Sequence, residues 1–276
     1  MLESFIVHCK QLLPNTLLSQ FAGWLAQSEQ RWLSRRLIQY FLSRYPVNLA
    51  EAADPIPDHY SSFNAFFTRA LRDDARPAAT ADWLCPVDGT ISQLGYIDDG
   101  QIFQAKGKTY STEQLLGNAT LAKHFVHGKF CTLYLSPKDY HRVHMPRRAK
   151  LVSTHYIPGQ LLSVNPANAR HVPGLFARNE RLVCEFSSDD SRFVMVLVGA
   201  ALVGSIATVW DGVINTGHNQ QPWSRICHDT IELQQGEEMG RFLLGSTVIL
   251  LFPANTITFP SDWRAERSVR LREAMG

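Results

Sequence analysis

Along the first third of the chain, apolar residues recur at helical spacing. Leu17, Phe21, Trp24 and Leu25 fall on one helix face, behind a helix entry at Pro14, Asn15 and Thr16. A second pattern covers residues 29–45, with Leu33, Leu37, Tyr40 and Phe41 as its stripe and Pro46 as its stop. Arg31, Arg35, Arg36 and Arg44 accompany that stripe against a single acid, Glu29. Residues 50–62 (AEAADPIPDHYSS) read as a Pro- and Asp-rich linker, and FNAFFTRAL after them as a short helical piece. From about Cys85 the period changes. Short apolar runs such as GTISQLGYI, FCTLYLS, KLVSTHYI and RLVCEF are separated by Gly, Pro, Asn and Asp, the texture of antiparallel strands. The expected fold class is therefore α+β. N-terminal amphipathic helices over residues 1–75 precede a mostly antiparallel β barrel or sandwich over residues 76–276. No βαβ alternation is present, which excludes a Rossmann layout. The charged tail after Pro260 reads as a solvated surface helix or an unstructured end.

One run breaks the pattern. RFLLGSTVILLF, residues 241–252, reads as a buried strand with Gly245, Ser246 and Thr247 in its middle. Glycine weakens a strand interior and a buried hydroxyl needs a partner, so a bulge or a close backbone approach is the plainest explanation.

Composition narrows the class without naming a function. The 276 residues suffice for a substantial core, and a net charge of +2 gives no field that would attract nucleic acid. The five cysteines (Cys9, Cys85, Cys131, Cys184, Cys227) form no CxxC pair and suit a reducing compartment as small buried hydrophobes. The N-terminus has no signal-peptide pattern, and no apolar run reaches the length of a membrane span. Trp24, Trp32, Tyr40 and Tyr45 among the arginines fit either a face packed on a core or an amphipathic anchor at anionic lipid.

Reactive side chains concentrate in four stretches. CPVDGTI sets Asp88 in an Asp-Gly turn before a strand. SPKDYHRVHMPRR holds His141 and His144 with Lys138, Arg142, Arg147 and Arg148 around them. On a helix the two histidines would share a face and could bind metal. In an extended segment they would point to opposite faces, and Pro137 and Pro146 favour a loop. No further ligand lies at a familiar zinc spacing. YIPGQLLSVNP is a shaped loop, and GEEMGRFLLGST leads into the broken strand. Asp88, His144 and Ser246 supply the three residue types of an orienter, base and nucleophile relay, which only geometry can confirm. A serine inside an apolar run is poorly exposed to an external substrate and better placed to attack its own chain.

FFTR, PVDG, YHRVH, PGQLLSVNP and GEEMGRFLLGST, in this order, resemble the motifs of bacterial-type phosphatidylserine decarboxylase proenzymes. The resemblance extends over nearly the whole chain. It implies self-cleavage between Gly245 and Ser246, giving a β-chain of residues 1–245 and an α-chain of residues 246–276, with Ser246 becoming a covalent pyruvoyl cofactor. Asp88 and His144 would then be orienter and base for the cut, and His141 would serve the substrate and its proton transfer. Lys138 and Arg142, with Arg147 and Arg148, become candidates for the lipid phosphate or carboxylate. The substrate implied is phosphatidylserine in an anionic membrane. The protein implied is peripheral, on the cytoplasmic face of a bacterial inner membrane, with its two chains associated and further dimerised. No nucleic acid and no metal are implied. Against this stand a metal-dependent hydrolase built on His141 and His144, and a non-enzymatic membrane-binding β-domain.

Overall fold

The structure, a computed structural model, describes residues 23–200, 206–214, 221–227, 231–243 and 246–276. Gly245, together with Pro14, Leu17, Phe21 and Cys9, lies outside the described residues.

The arginine-rich segment forms helix α1 (Arg31–Arg44), ended by Tyr45 and Pro46 in extended conformation as the proline requires. Ile38 and Phe41 are buried while Leu33 and Leu37 are half-buried, so the stripe packs much as its spacing predicts. Tyr40 departs from it and stands exposed. The face meets α2 (Phe63–Phe67), whose Ser62 hydroxyl accepts the Ala65 amide as its N-cap. Phe41 lies edge-on to Phe63, Phe66 and Phe67 in a small separate core.

The rest is mostly antiparallel sheet with short helices between strands. The strands are β1 (Gly89–Tyr96), β2 (Gln101–Ala105), β3 (Lys108–Ser111), β4 (Lys129–Leu135), β5 (Arg142–His144), β6 (Ala149–Ile157), β7 (Arg181–Ser187) and β8 (Arg192–Gly199). They continue with β9 (Ile206–Thr208), β10 (Gly212–Val213), β11 (Trp223–Ile226), β12 (Glu232–Leu233), β13 (Glu238–Phe242), β14 (Ser246–Phe252) and β15 (Ser268–Val269). The large sheet runs β11-β6-β7-β8-β14-β4-β1-β15, with β12 also on β6; a second runs β10-β9-β13-β5, and β2 pairs with β3. The large sheet does not close into a barrel, and the two main sheets are sandwich-like.

Strand β14 sits between β4 and β8 with all seven residues buried. Val248, Leu250 and Phe252 enter one core with Val143, Met239 and Phe242 of the second sheet and its approach. Ile249 and Leu251 enter another with residues of the short helices α3 (Thr112–Leu116) and α4 (Leu175–Arg178). Both faces are covered, so the strand is apolar throughout and does not alternate.

Three expectations change. Residues 241–252 are not one strand: β13 ends at Phe242 in the smaller sheet and β14 begins at Ser246 in the larger, so the Gly-Ser step falls where the chain crosses between sheets. The YHRVH segment is not all loop, because residues 142–144 are drawn into extended pairing with β13. The tail is neither helix nor unstructured. It runs back along residues 83–88, with Trp83 N to Gly276 O at 2.9 Å and Cys85 N to Glu273 O at 2.7 Å, and buries Leu271 and Met275. Among the described residues, no helix is long and apolar enough to cross a membrane.

Candidate active site

Ser246 is fully buried at the first position of β14, paired with Leu135 of β4 and Gly199 of β8. Its hydroxyl lies 3.3 Å from His141 Nδ1. The other ring nitrogen, Nε2, is 3.1 Å from the Ser136 carbonyl oxygen. A carbonyl only accepts, so the proton belongs on Nε2, and Nδ1 presents a lone pair to the Ser246 hydroxyl. Phe67 stacks on the imidazole at 4.0 Å between centroids, which fixes its plane. Burial first, then the nearby Arg69 charge, push the His141 pKa down to about 3, so the ring is neutral at ordinary pH.

His144 follows three residues later on the extended β5, and its ring has other partners, as the period of two requires. Nδ1 lies 2.9 Å from the Gly236 carbonyl oxygen and Nε2 3.1 Å from the Tyr140 hydroxyl. The same reasoning puts its proton on Nδ1 and makes Nε2 the acceptor of the Tyr140 O–H. Gly236 presents that carbonyl from a left-handed conformation (φ 77°) that a side chain would strain. Burial lowers the His144 pKa too. With both nitrogens of each ring engaged, the histidines do not converge on one point. Among the described residues, no three His, Cys, Asp or Glu side chains are grouped to hold a metal ion.

Asp88 ends the approach to β1. Gly89 is needed here because a Cβ would come within 2.5 Å of the Tyr134 carbonyl oxygen; the pair opens a strand and does not form a turn. Arg76 grips the carboxylate through Nε at 3.0 Å and Nη2 at 2.6 Å, and the Leu271 amide donates to it at 2.8 Å. Arg76 also reaches Glu51. Among the described residues, no hydrogen bond joins Asp88 to His144 or His144 to Ser246; the structure brings His141 to Ser246 instead.

The basic candidates separate. Arg142 donates to the Thr68 carbonyl at 2.8 Å and to Glu238 at 2.9 Å, tying the FFTR turn to β13. Arg147 pairs with Asp190 and Arg148 with Glu232. Lys138 is exposed on the rim of a polar cleft of about 280 Å³ that Arg69, Arg76, Asp88, Ser136 and Tyr140 also line. Sequence reasoning gave no role to Phe67, Arg69, Arg76, Ser136, Tyr140 or Gly236. Phe67 and Arg69 carried a signal as members of FFTR, Tyr140 as the first residue of YHRVH, Gly236 as the first of GEEMGRFLLGST and Ser136 as the first of SPKDYHRVHMPRR, whereas Arg76 lay in no motif.

A family model described as phosphatidylserine decarboxylase matches residues 63–276, and a second, described as PSD, matches residues 7–46. The chain belongs to the phosphatidylserine decarboxylase family. Among curated phosphatidylserine decarboxylase proenzymes, that of Dechloromonas aromatica is 55% identical over 96% of this chain and 95% of its own. That of Variovorax paradoxus is 55% identical over 96% and 94%. That of Methylobacillus flagellatus is 52% identical over 99% of both. Membership in this decarboxylase family makes the chain an enzyme of the carboxy-lyase class.

Proposed function

We propose that the chain is made whole, cuts itself between Gly245 and Ser246, and then converts phosphatidylserine to phosphatidylethanolamine at an anionic membrane surface. The observation that carries this reading is the buried Ser246 hydroxyl on a neutral imidazole, at the step between two sheets, in a member of this family. For the cut, Ser246 Oγ adds to the Gly245 carbonyl carbon and the C–N bond breaks, leaving an ester and a free amine. Loss of the residue-246 Cα proton expels the ester as the Gly245 carboxylate and leaves a carbon–carbon double bond. Addition of water and release of ammonia then give a ketone.

A ketone derived from Ser246 suits this position: it is small, shielded from water, and remains attached through the Thr247 nitrogen in a strand held on both sides. That pyruvoyl carbonyl supplies an electron sink for the pair left when carbon dioxide departs. We assign His141, anchored at Nε2 by Ser136 and stacked on Phe67, to the proton transfer at the substrate.

For the cut itself we assign Ser246 as nucleophile, His144 as base and Asp88 as orienter, following the family resemblance. Burial lowers the pKa of both rings, so the choice of His144 follows the resemblance. This role requires His144 Nε2 to exchange the Tyr140 hydroxyl for that of Ser246, and Nδ1 to exchange the Gly236 carbonyl for Asp88. A second reading follows from the contact already made, in which His141 Nδ1 takes the Ser246 proton directly.

Following cleavage of freshly made chains separates the two. Ser246→Ala should remain whole. His144→Ala should slow the cut by roughly 100- to 10,000-fold, while His141→Ala cuts and then releases no carbon dioxide. If His141→Ala stays whole and His144→Ala cuts normally, the second reading replaces the first.

The helical region supports a peripheral attachment. Trp32 and Tyr40 of α1 are exposed, with Arg36 over the Trp32 ring and Arg44 over the Tyr40 ring. Aromatic rings and arginines on one outer surface are what a headgroup layer accepts. We propose residues 1–75 as the membrane-contacting region on the cytoplasmic face of a bacterial inner membrane. Residues 76–276 would form the catalytic unit, with the two chains associated and further dimerised.

A further inference from the structure

Arg69, which closes FFTR, is almost completely buried (4% exposed). Of its guanidinium nitrogens, Nη2 donates to the Lys138 carbonyl at a long 3.3 Å, and Nε and Nη1 have no partner. The charge lies 5.6 Å over the Phe66 ring, itself fully buried, so the side chain is held by packing and not by an acid. Burial keeps its pKa below the usual arginine range. A buried guanidinium with idle N–H bonds is costly to keep.

The other buried or half-buried arginines around the site are satisfied, and Arg270 on the cleft rim is mostly exposed, 4.0 Å from Glu51. Arg76, across the same cleft, is taken up by Asp88 and Glu51, and Arg142 by Glu238 and the Thr68 carbonyl. Ser136 lines the same cleft; its buried hydroxyl makes no hydrogen bond of good geometry, and its amide donates to the Asp139 carboxylate at 2.7 Å. The Ser136 carbonyl anchors His141, and His141 meets Ser246. The cleft therefore carries unspent donors, and the next side chain inward touches the reacting residue.

We propose that Arg69, with the Ser136 hydroxyl of the same cleft, receives the phosphodiester of the substrate headgroup and thereby selects a phosphorylated serine. The inference rests on the decarboxylase reading above. In a serine headgroup one oxygen and one carbon separate phosphorus from Cα, so an anion held in the cleft brings the amine and carboxylate toward Ser246. The phosphodiester suits Arg69 better than the carboxylate does. The carboxylate loses its charge as carbon dioxide forms, so an arginine bound to it would stabilise the starting state more than the transition state. The phosphodiester keeps its charge throughout.

The test uses the mature full-length enzyme, wild type and with Arg69→Gln or Arg69→Lys. Calorimetry follows binding of glycerophosphoethanolamine, which has the phosphodiester and no carboxylate. Carbon dioxide release from short-chain phosphatidylserine gives KM and kcat. Arg69→Gln should weaken glycerophosphoethanolamine roughly 10- to 100-fold and raise KM by a similar factor with a smaller change in kcat. Arg69→Lys should recover part of the affinity. Unchanged glycerophosphoethanolamine binding with decarboxylation lost would assign Arg69 to the carboxylate and overturn the proposal. So would a failure of both variants to mature, which would make Arg69 structural, or a wild type with no affinity for the probe. A wild type that binds the probe through Arg69 yet releases no carbon dioxide would instead defeat the decarboxylase reading and leave the anion site standing.

Discussion

The state of His141 is decided by one acceptor. Because the Ser136 carbonyl can only accept, Nε2 holds the proton and the lone pair faces Ser246. The ring is buried and its pKa falls from 6.5 to about 3, so the folded chain binds fewer protons than the unfolded one between those values. Its contribution to stability is complete above pH 6.5 and is lost as the pH falls toward 3, at up to about 1.4 kcal/mol per pH unit. In the uncut Ser246→Ala chain, the urea midpoint should therefore fall between about pH 7 and about pH 5. His141→Leu in that background should flatten the slope, and an unchanged slope would mean that the ring is protonated in place. His144 and His155, both also lowered by burial, contribute in the same direction and leave part of the slope in place.

Among the elements, legibility followed the range of the forces involved. Helix α1 was visible because its spacing, its arginines and its closing proline are local. The division of residues 241–252 was not: Phe242, which ends β13, and the whole of β14 are each buried in their own sheet, so the apolar run continues across the boundary with no local mark. The placement of the tail escaped as well, since its partners at residues 83–88 lie far away in sequence. At the site, the residue types could be read from the motifs, but their distances could not. His141 and His144 differ by three positions, and only the extended course of β5 sends them apart. The exposed face of α1 yields a prediction at this scale. Replacing Arg36 and Arg44 by Gln should weaken sedimentation with phosphatidylglycerol vesicles by roughly 30-fold, at about 1 kcal/mol per arginine. Cleavage should be unaffected, and undiminished sedimentation would remove α1 from the membrane contact.

Across the whole molecule, the proposed cut leaves the smaller piece firmly held. Residues 246–252 lie between β4 and β8, and the tail is hydrogen-bonded along residues 83–88, with the Leu271 amide on Asp88. Few of these contacts depend on the bond between Gly245 and Ser246. The cut enzyme should therefore migrate as a single species in native gel filtration and separate only on denaturation. Mass spectrometry of the denatured wild-type protein tests the proposal most directly. It should give two polypeptides, residues 1–245 and residues 246–276, the second lighter by one ammonia than a free serine terminus would make it. A single uncut polypeptide with an ordinary serine at position 246 and full decarboxylase activity would contradict it.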